Sequence, residues 1–338
     1  MLWKKKEGIG LDIGSSAAKL VVLSRAGKRL QISRYGIREL PPEAIVGGEI
    51  IDRELVVRAV SELSEELKVK GRNVVTALSG RGVIVKRITT EMVAKEALRE
   101  AVFCAAEEHI PFDINDVAMD FHVLKSEGKP KTLDVLLVAV RKETVSNLLQ
   151  LLKEAGIGAS VVDINPMAVL NSVSYSEDIS KTEIFAVVDV GAESTCITIS
   201  RESEPFLSWH VSTGARSFAQ ALQKGLSVTQ AEALKILMGE DGKEKDEVVS
   251  LILPGLEEIA ASLERAVSYL SDTGAGEKLD KLFLCGGGSA SLGLTDFFSE
   301  RFPVNVKVAD TVHKMGSAPS PLGSRLAVAI GLALREVT

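Results

Sequence analysis

The chain has 338 residues, 46% hydrophobic and 25% charged, which at roughly 150 residues per domain suits about two globular lobes and is too apolar for a disordered chain. With 40 Lys and Arg against 46 Asp and Glu the formal charge is −6, so no overall positive field gathers phosphate backbones, and nucleic acid is not expected as a partner. Cys104, Cys196 and Cys285 are far apart, without CxxC or Cys/His ligand spacing, which argues against a disulfide scaffold or a zinc site and for a reducing compartment.

The chain opens Met1-Leu2-Trp3-Lys4-Lys5-Lys6-Glu7, a basic tract with no apolar core or small-residue cleavage site behind it, so it reads as a solvated terminus rather than a secretory signal. Next comes Gly8-Ile9-Gly10-Leu11-Asp12-Ile13-Gly14-Ser15-Ser16, then an apolar stretch at 20–23, a polar turn at 24–28 and a further apolar-alternating stretch at 29–32. The pattern predicts a buried strand, a tight turn of small hydroxyl residues, and two more strands folding back.

A mixed region follows. Strands are predicted at 83–88, 118–124 and 133–140, with amphipathic helices at 96–108 and 144–155. The 133–140 run is too short to cross a membrane and carries Asp134, and the later run at 326–334 is broken by Gly331. His109 lies just before Pro111, the place of a helix-end histidine. His122 and His210 have no second ligand at metal spacing and read as core or surface residues.

At residue 186 the opening phrase returns: Ala186-Val187-Val188-Asp189-Val190-Gly191-Ala192-Glu193-Ser194-Thr195, an apolar stretch at 196–199, a polar turn at 200–205 and a third stretch at 206–209. An internal repeat of this kind constrains the whole architecture. The shared Asp-x-Gly-(Ser/Thr) pattern has a chemical reason. Glycine lets backbone N–H groups approach phosphate oxygens, the hydroxyls add donors, and the aspartate can hold Mg²⁺ through water. A last strand at 281–285 runs straight into Gly286-Gly287-Gly288-Ser289, a loop flat enough to meet a ribose or base. Neither a dinucleotide Gly-x-Gly-x-x-Gly nor a Walker A spacing is present.

These residues resemble the actin-like ATPase superfamily, and within it the PilM family of type IV pilus assembly, relatives of the cell-division protein FtsA. The stretch 4–19 carries the resemblance most strongly. It implies an α/β, ribonuclease H-like fold of two lobes with an inserted α+β subdomain. Residues 1–76 would begin the first lobe, 77–158 form the insert and 159–185 a crossover segment of the first lobe; 186–321 would form the second lobe with a helical subdomain at about 217–275, and 322–338 a crossover helix returning to the first lobe. It further implies that Asp12, Gly14, Ser15, Ser16 and Lys19 form one phosphate element, Asp189, Gly191, Glu193, Ser194 and Thr195 the second, and Gly286, Gly287, Gly288 and Ser289 the adenosine loop. Glu232 and Lys235, three apart on one helix, would reach ribose and base.

The implied ligand is ATP with Mg²⁺ held through water by Asp12 and Asp189. Hydrolysis also needs an acceptor that aligns a water; the candidates are Asp163 and Glu193, and slow turnover is the most this supports. The resemblance implies a cytoplasmic scaffold at the inner membrane that binds the N-terminal tail of PilN in a nucleotide-linked manner. Other platform proteins and pilus ATPases would be further partners, and the membrane would be reached only through partners. A sugar-kinase phosphotransferase is the rival reading, but its larger inserts fit poorly in 338 residues. FtsA is the other rival; it would add a terminal amphipathic helix where this chain runs Leu334-Arg335-Glu336-Val337-Thr338.

Overall fold

Two runs of β-branched and aliphatic residues, each ending in the repeated turn, build two five-stranded sheets of one topology. The computed structural model describes residues 7–27, 29–80, 82–124, 132–202, 204–273, 276–315 and 322–337. The basic tract with Trp3 lies outside them.

In the first lobe, β1 (Glu7–Ile13), β2 (Ala17–Ala26) and β3 (Arg29–Glu39) form an antiparallel meander. A small hairpin, β4 (Ile45–Val46) and β5 (Glu49–Ile50), leads to α1 (Arg53–Glu66) and β6 (Asn73–Leu78), which pairs parallel to β1. The chain then forms β7 (Ile84–Glu91), α2 (Leu98–Ala106), β8 (Val117–Val123), β9 (Thr132–Arg141) and α3 (Lys142–Glu154) before β10 (Gly158–Ile164) completes the sheet order β10-β6-β1-β2-β3. After α4 (Asn165–Ser176) the second lobe repeats the plan with β11 (Phe185–Val190), β12 (Thr195–Arg201) and β13 (Glu204–Val211). The helices α5 (Ala215–Leu226), α6 (Gln230–Leu237) and α7 (Lys245–Thr273) carry it to β14 (Lys281–Cys285), and α8 (Leu294–Arg301) to β15 (Asn305–Val308). The order β13-β12-β11-β14-β15 matches the first sheet strand for strand. Finally α9 (Leu322–Leu334) runs back to β1.

Each parallel pair needs a helical crossover, and these helices cover the sheets. Ile9, Leu11, Leu20 and Val22 of the first sheet pack with Val56, Val60 and Leu63 of α1 and with Leu148, Leu151 and Leu152 of α3. Thus α3, inside the 77–158 stretch, joins the core of the first lobe. The separate small core belongs to β7, β8, β9 and α2, around Ile88, Val102, Val117, Val135 and Leu137. An amphipathic pattern reveals that a helix has an apolar face, not which sheet receives it.

Between the lobes lie α4 and α9. A Cβ on Gly331 would stand 1.7 Å from the Ala168 carbonyl oxygen, and Cβ atoms on Gly8 and Gly10 would stand 2.1 and 2.0 Å from the carbonyls of Ala333 and Ala329. Glycine at these three points is therefore what allows α9 to lie on both α4 and β1. No helix among the described residues is long and apolar enough to cross a membrane.

Candidate functional site

The two repeated turns close in the same way. Gly14 N–H donates to the Ala17 carbonyl at 3.0 Å, and Gly191 N–H to the Ser194 carbonyl at 3.0 Å. Both open onto a single cleft of about 1090 Å³. Of the residues singled out above, the structure brings Asp12, Gly14, Ser15, Ser16, Lys19, Asp189, Gly191, Glu193, Ser194, Gly286, Gly287 and Gly288 onto its wall.

Thr195 and Ser289 are buried behind the wall. The Thr195 hydroxyl donates to the Thr213 carbonyl and the Ser289 hydroxyl to the Gly286 carbonyl, each at 2.7 Å, so they brace the loops. Asp163 is not among the lining residues; its carboxylate pairs with Arg335 at 2.5 Å and accepts from Ile164 N–H at 2.8 Å. Glu232 and Lys235 are exposed and also off the wall. Glu232 instead closes a capping box with Thr229, and α6 meets the cleft through Gln230 and Leu234, followed by its C-cap Met238. The Thr-x-x-Glu signature of that cap was readable from the sequence.

Other lining residues carried no sequence signal of their own. Residues 83–86, at and before the start of β7, and Ser208, Trp209 and His210 of β13 form part of the wall. Gly214 seats the second turn, because a Cβ there would come within 2.8 Å of Gly191, Ala192 and Ser194 backbone atoms. In the triple-glycine loop, Gly286 has φ +81° and a Cβ on it would strike the Val190 carbonyl at 2.3 Å and Asp189 Oδ1 at 2.5 Å. Gly287 faces open space.

The charges of the two turns are unequal. Strand register sets Lys19 opposite Asp12, and their ion pair measures 2.8 Å. The matching position opposite Asp189 is Cys196. No hydrogen bond or ion pair to Asp189 is present among the described residues. Surrounding protein and, secondarily, the Asp12 charge push the Asp189 carboxyl up to about 6, against a smaller opposing pull from Lys19. Burial likewise pushes the Cys196 thiol up to about 11, so it is an inert wall residue.

This donor set suits a hydrated Mg²⁺. No cluster of three or more His, Cys, Asp or Glu able to hold a metal occurs among the described residues, so an all-protein cage is absent there. Two facing carboxylates, one without a counter-ion, beside backbone N–H groups and a lysine match a cation that keeps its waters and shares phosphate oxygens.

The duplicated sheets, crossover helices and paired turns around one cleft define an actin-like protein. Solved structures agree. The chain is similar to that of a PilM–PilN type IV pilus biogenesis complex (27% identity, 99% of this chain and 100% of that one covered, TM-score 0.85). The ethanolamine utilization protein EutJ from Carboxydothermus hydrogenoformans (16%, 97% and 89%, 0.60) and MreB5 of Spiroplasma citri bound to AMPPNP (14%, 99% and 97%, 0.57) share the fold. The family of the type IV pilus assembly protein PilM matches residues 10–337, and the chain belongs to that family.

Proposed function

We propose that this chain is a cytoplasmic ATP·Mg²⁺-binding scaffold of the type IV pilus machinery that takes the N-terminal tail of the inner-membrane protein PilN, in a manner linked to nucleotide. The observation that carries the nucleotide reading is the convergence of Gly14 and Gly191, with their two aspartates, on one cleft. The relative solved with PilN supports the partner, and the nucleotide bound to the MreB5 relative supports the ligand class.

In this reading the N–H groups and hydroxyls of Ser15, Ser16 and Ser194 hold phosphate oxygens, Lys19 adds a charge, and Asp12 and Asp189 orient Mg²⁺ through water. The metal would neutralise phosphate charge. Gly287, with open space above it, offers backbone to the nucleoside. Of the two acceptors considered for hydrolysis, Asp163 lies off the cleft wall and is held by Arg335, whereas Glu193 lines the cleft and is held, without nucleotide, by Arg216 Nη1 at 2.5 Å and Gly47 N–H at 2.9 Å. In this reading ATP acts chiefly as a ligand.

Calorimetry with Mg²⁺ tests this. Asp12→Ala and Asp189→Ala should each weaken ATP binding at least tenfold with the fold retained; unchanged affinity in both would remove the site. Pull-down with a PilN tail peptide should improve when ATP is added. Sugar-stimulated ADP release at about 1 s⁻¹ or faster would instead favour a kinase.

A further inference from the structure

Besides Lys19 the cleft wall carries Lys86, Arg216 and Arg325, and of these Arg216 bonds to both turns. Arg216 is the second residue of α5, and that helix starts against the second turn: Ala215 N–H donates to the Gly191 carbonyl at 2.9 Å and Arg216 N–H to the Ala192 carbonyl at 2.7 Å. Its guanidinium then reaches between the turns. Nη1 pairs with Glu193 at 2.5 Å and Nη2 donates to the Ser15 carbonyl of the other lobe at 3.3 Å. The side chain keeps 20% of its exposure and lines the cleft, so the fork retains donors for a ligand.

Position along the second turn gives the polarity. The triple-glycine loop touches the end of β11 at Asp189 and Val190, just before the turn, whereas Arg216 touches the turn itself at Ala192 and Glu193. A nucleoside seated on the loop would lead its phosphates along that order toward Ala192 and Glu193, where Arg216 would meet the last of them. Guanidinium binds a dianionic phosphate in a bidentate fork more strongly than a lysine point charge does. Glu193 is a competing anion for that fork.

Resting on the nucleotide reading, we propose that Arg216 reads the terminal phosphate of a nucleoside triphosphate, with Glu193 as its counter-ion when that phosphate is absent. The exchange also has a route outward. Glu193 accepts from Gly47 N–H in the tip between β4 and β5, and that tip packs on the root of the insert, where a Cβ on Gly48 would stand 3.1 Å from Gly80 Cα and the Ser79 carbonyl. Loss of the Arg216 pairing thus alters a contact that continues into residues just before β7.

The test is the ratio of ATP·Mg²⁺ to ADP·Mg²⁺ affinity, measured calorimetrically on the full chain, with melting temperatures recorded for each variant. Arg216→Gln should weaken ATP about tenfold and ADP no more than about twofold. Glu193→Gln keeps an acceptor for Gly47 but drops the competing charge, and should raise the ATP preference severalfold, a gain that misfolding cannot mimic. Equal weakening of both nucleotides by Arg216→Gln, or a lower ATP preference in Glu193→Gln, overturns the assignment of Arg216 while leaving the cleft as a nucleotide site. Failure of the unaltered protein to bind either nucleotide overturns both.

Discussion

Asp12 and Asp189 occupy equivalent positions in two copies of one hairpin, yet their physics differs because one neighbour is Lys19 and the other Cys196. Asp189 has a folded pKa of about 6, above its unfolded value near 4. The native state therefore binds more protons than the unfolded chain between about pH 4 and 6, so the ligand-free protein loses stability from this group as pH rises through that window. Asp189→Asn mimics the protonated form. It should match the unaltered protein near pH 4 and exceed it by on the order of 2 kcal/mol above pH 7, read as a difference in melting temperature between the two proteins across the range. No growth of that difference with pH would show that the carboxylate is not strained. Asp12→Asn should act in the opposite sense. It breaks a nearly buried ion pair, for which 3 to 5 kcal/mol is usual, but Lys19 retains the attraction of Asp189, so about 2 kcal/mol is expected in urea unfolding. The two aspartates were legible in the sequence because the phrase is repeated. The unequal partners, Lys19 and Cys196, also stand at matching places seven residues on in the two copies, whereas the repulsion between the two carboxylates was not legible, since it depends on the turns facing one another across the cleft.

Helix α6 shows how much an element hides. Its burial on Ala233, Ile236 and Leu237 is written in the apolar spacing, but that leaves two polar-facing sides, and only the three-dimensional fold says which meets the cleft. Glu232 and Lys235 satisfied the spacing of a shared ligand face. They also satisfied the spacing of a capping box and an exposed helix surface, which is where they lie. The Thr229 backbone and hydroxyl donors hold the Glu232 carboxyl below the usual range, as a cap should. Glu232→Ala is therefore expected to fray the first turn of α6, seen as faster amide exchange at residues 230–233, with ATP affinity changed less than twofold. Leu234→Asp, at a side chain 43% exposed to the cleft side, should weaken ATP severalfold without changing the melting temperature by more than about 2 °C, because little buried area is lost. The reverse pattern would return Glu232 to the ligand face. Strand β14 was readable to the residue because a buried apolar run ended in glycines; helix α3 was readable as a helix, yet its docking on the first-lobe sheet was not, because packing partners distant in sequence leave no periodic trace.

At the scale of the molecule the lobes are not independent bodies joined by a linker. Val75 and Ala77 of the first sheet, Phe185, Val187 and Phe283 of the second, and Ala168, Val328 and Leu332 of the crossover helices share one core, with Phe185 and Phe283 edge to face at 5.7 Å. The same α9 buries Leu326, Ala329 and Ile330 beside Val21 and Leu23 of β2. Removing α9 from its seat therefore exposes apolar surface on both lobes at once, and neither sheet can keep its inner face covered alone. Gly331 is the tightest point of that seat, since the atom a side chain would meet is the backbone oxygen of Ala168, which cannot rotate away. Gly331→Ala gains helix propensity of up to about 1 kcal/mol but must push α9 from α4, an overpacking cost of about 3 kcal/mol or more, so net destabilisation of about 2 kcal/mol is expected. Because the displaced helix serves both lobes, urea unfolding followed by far-ultraviolet dichroism and, in a Trp3→Phe background, by Trp209 fluorescence should shift together to lower denaturant, as one cooperative transition. Separation of the two probes in the variant, with Trp209 of the second lobe unaffected, would mean that the lobes hold their cores independently and that α4 and α9 join them without supporting them.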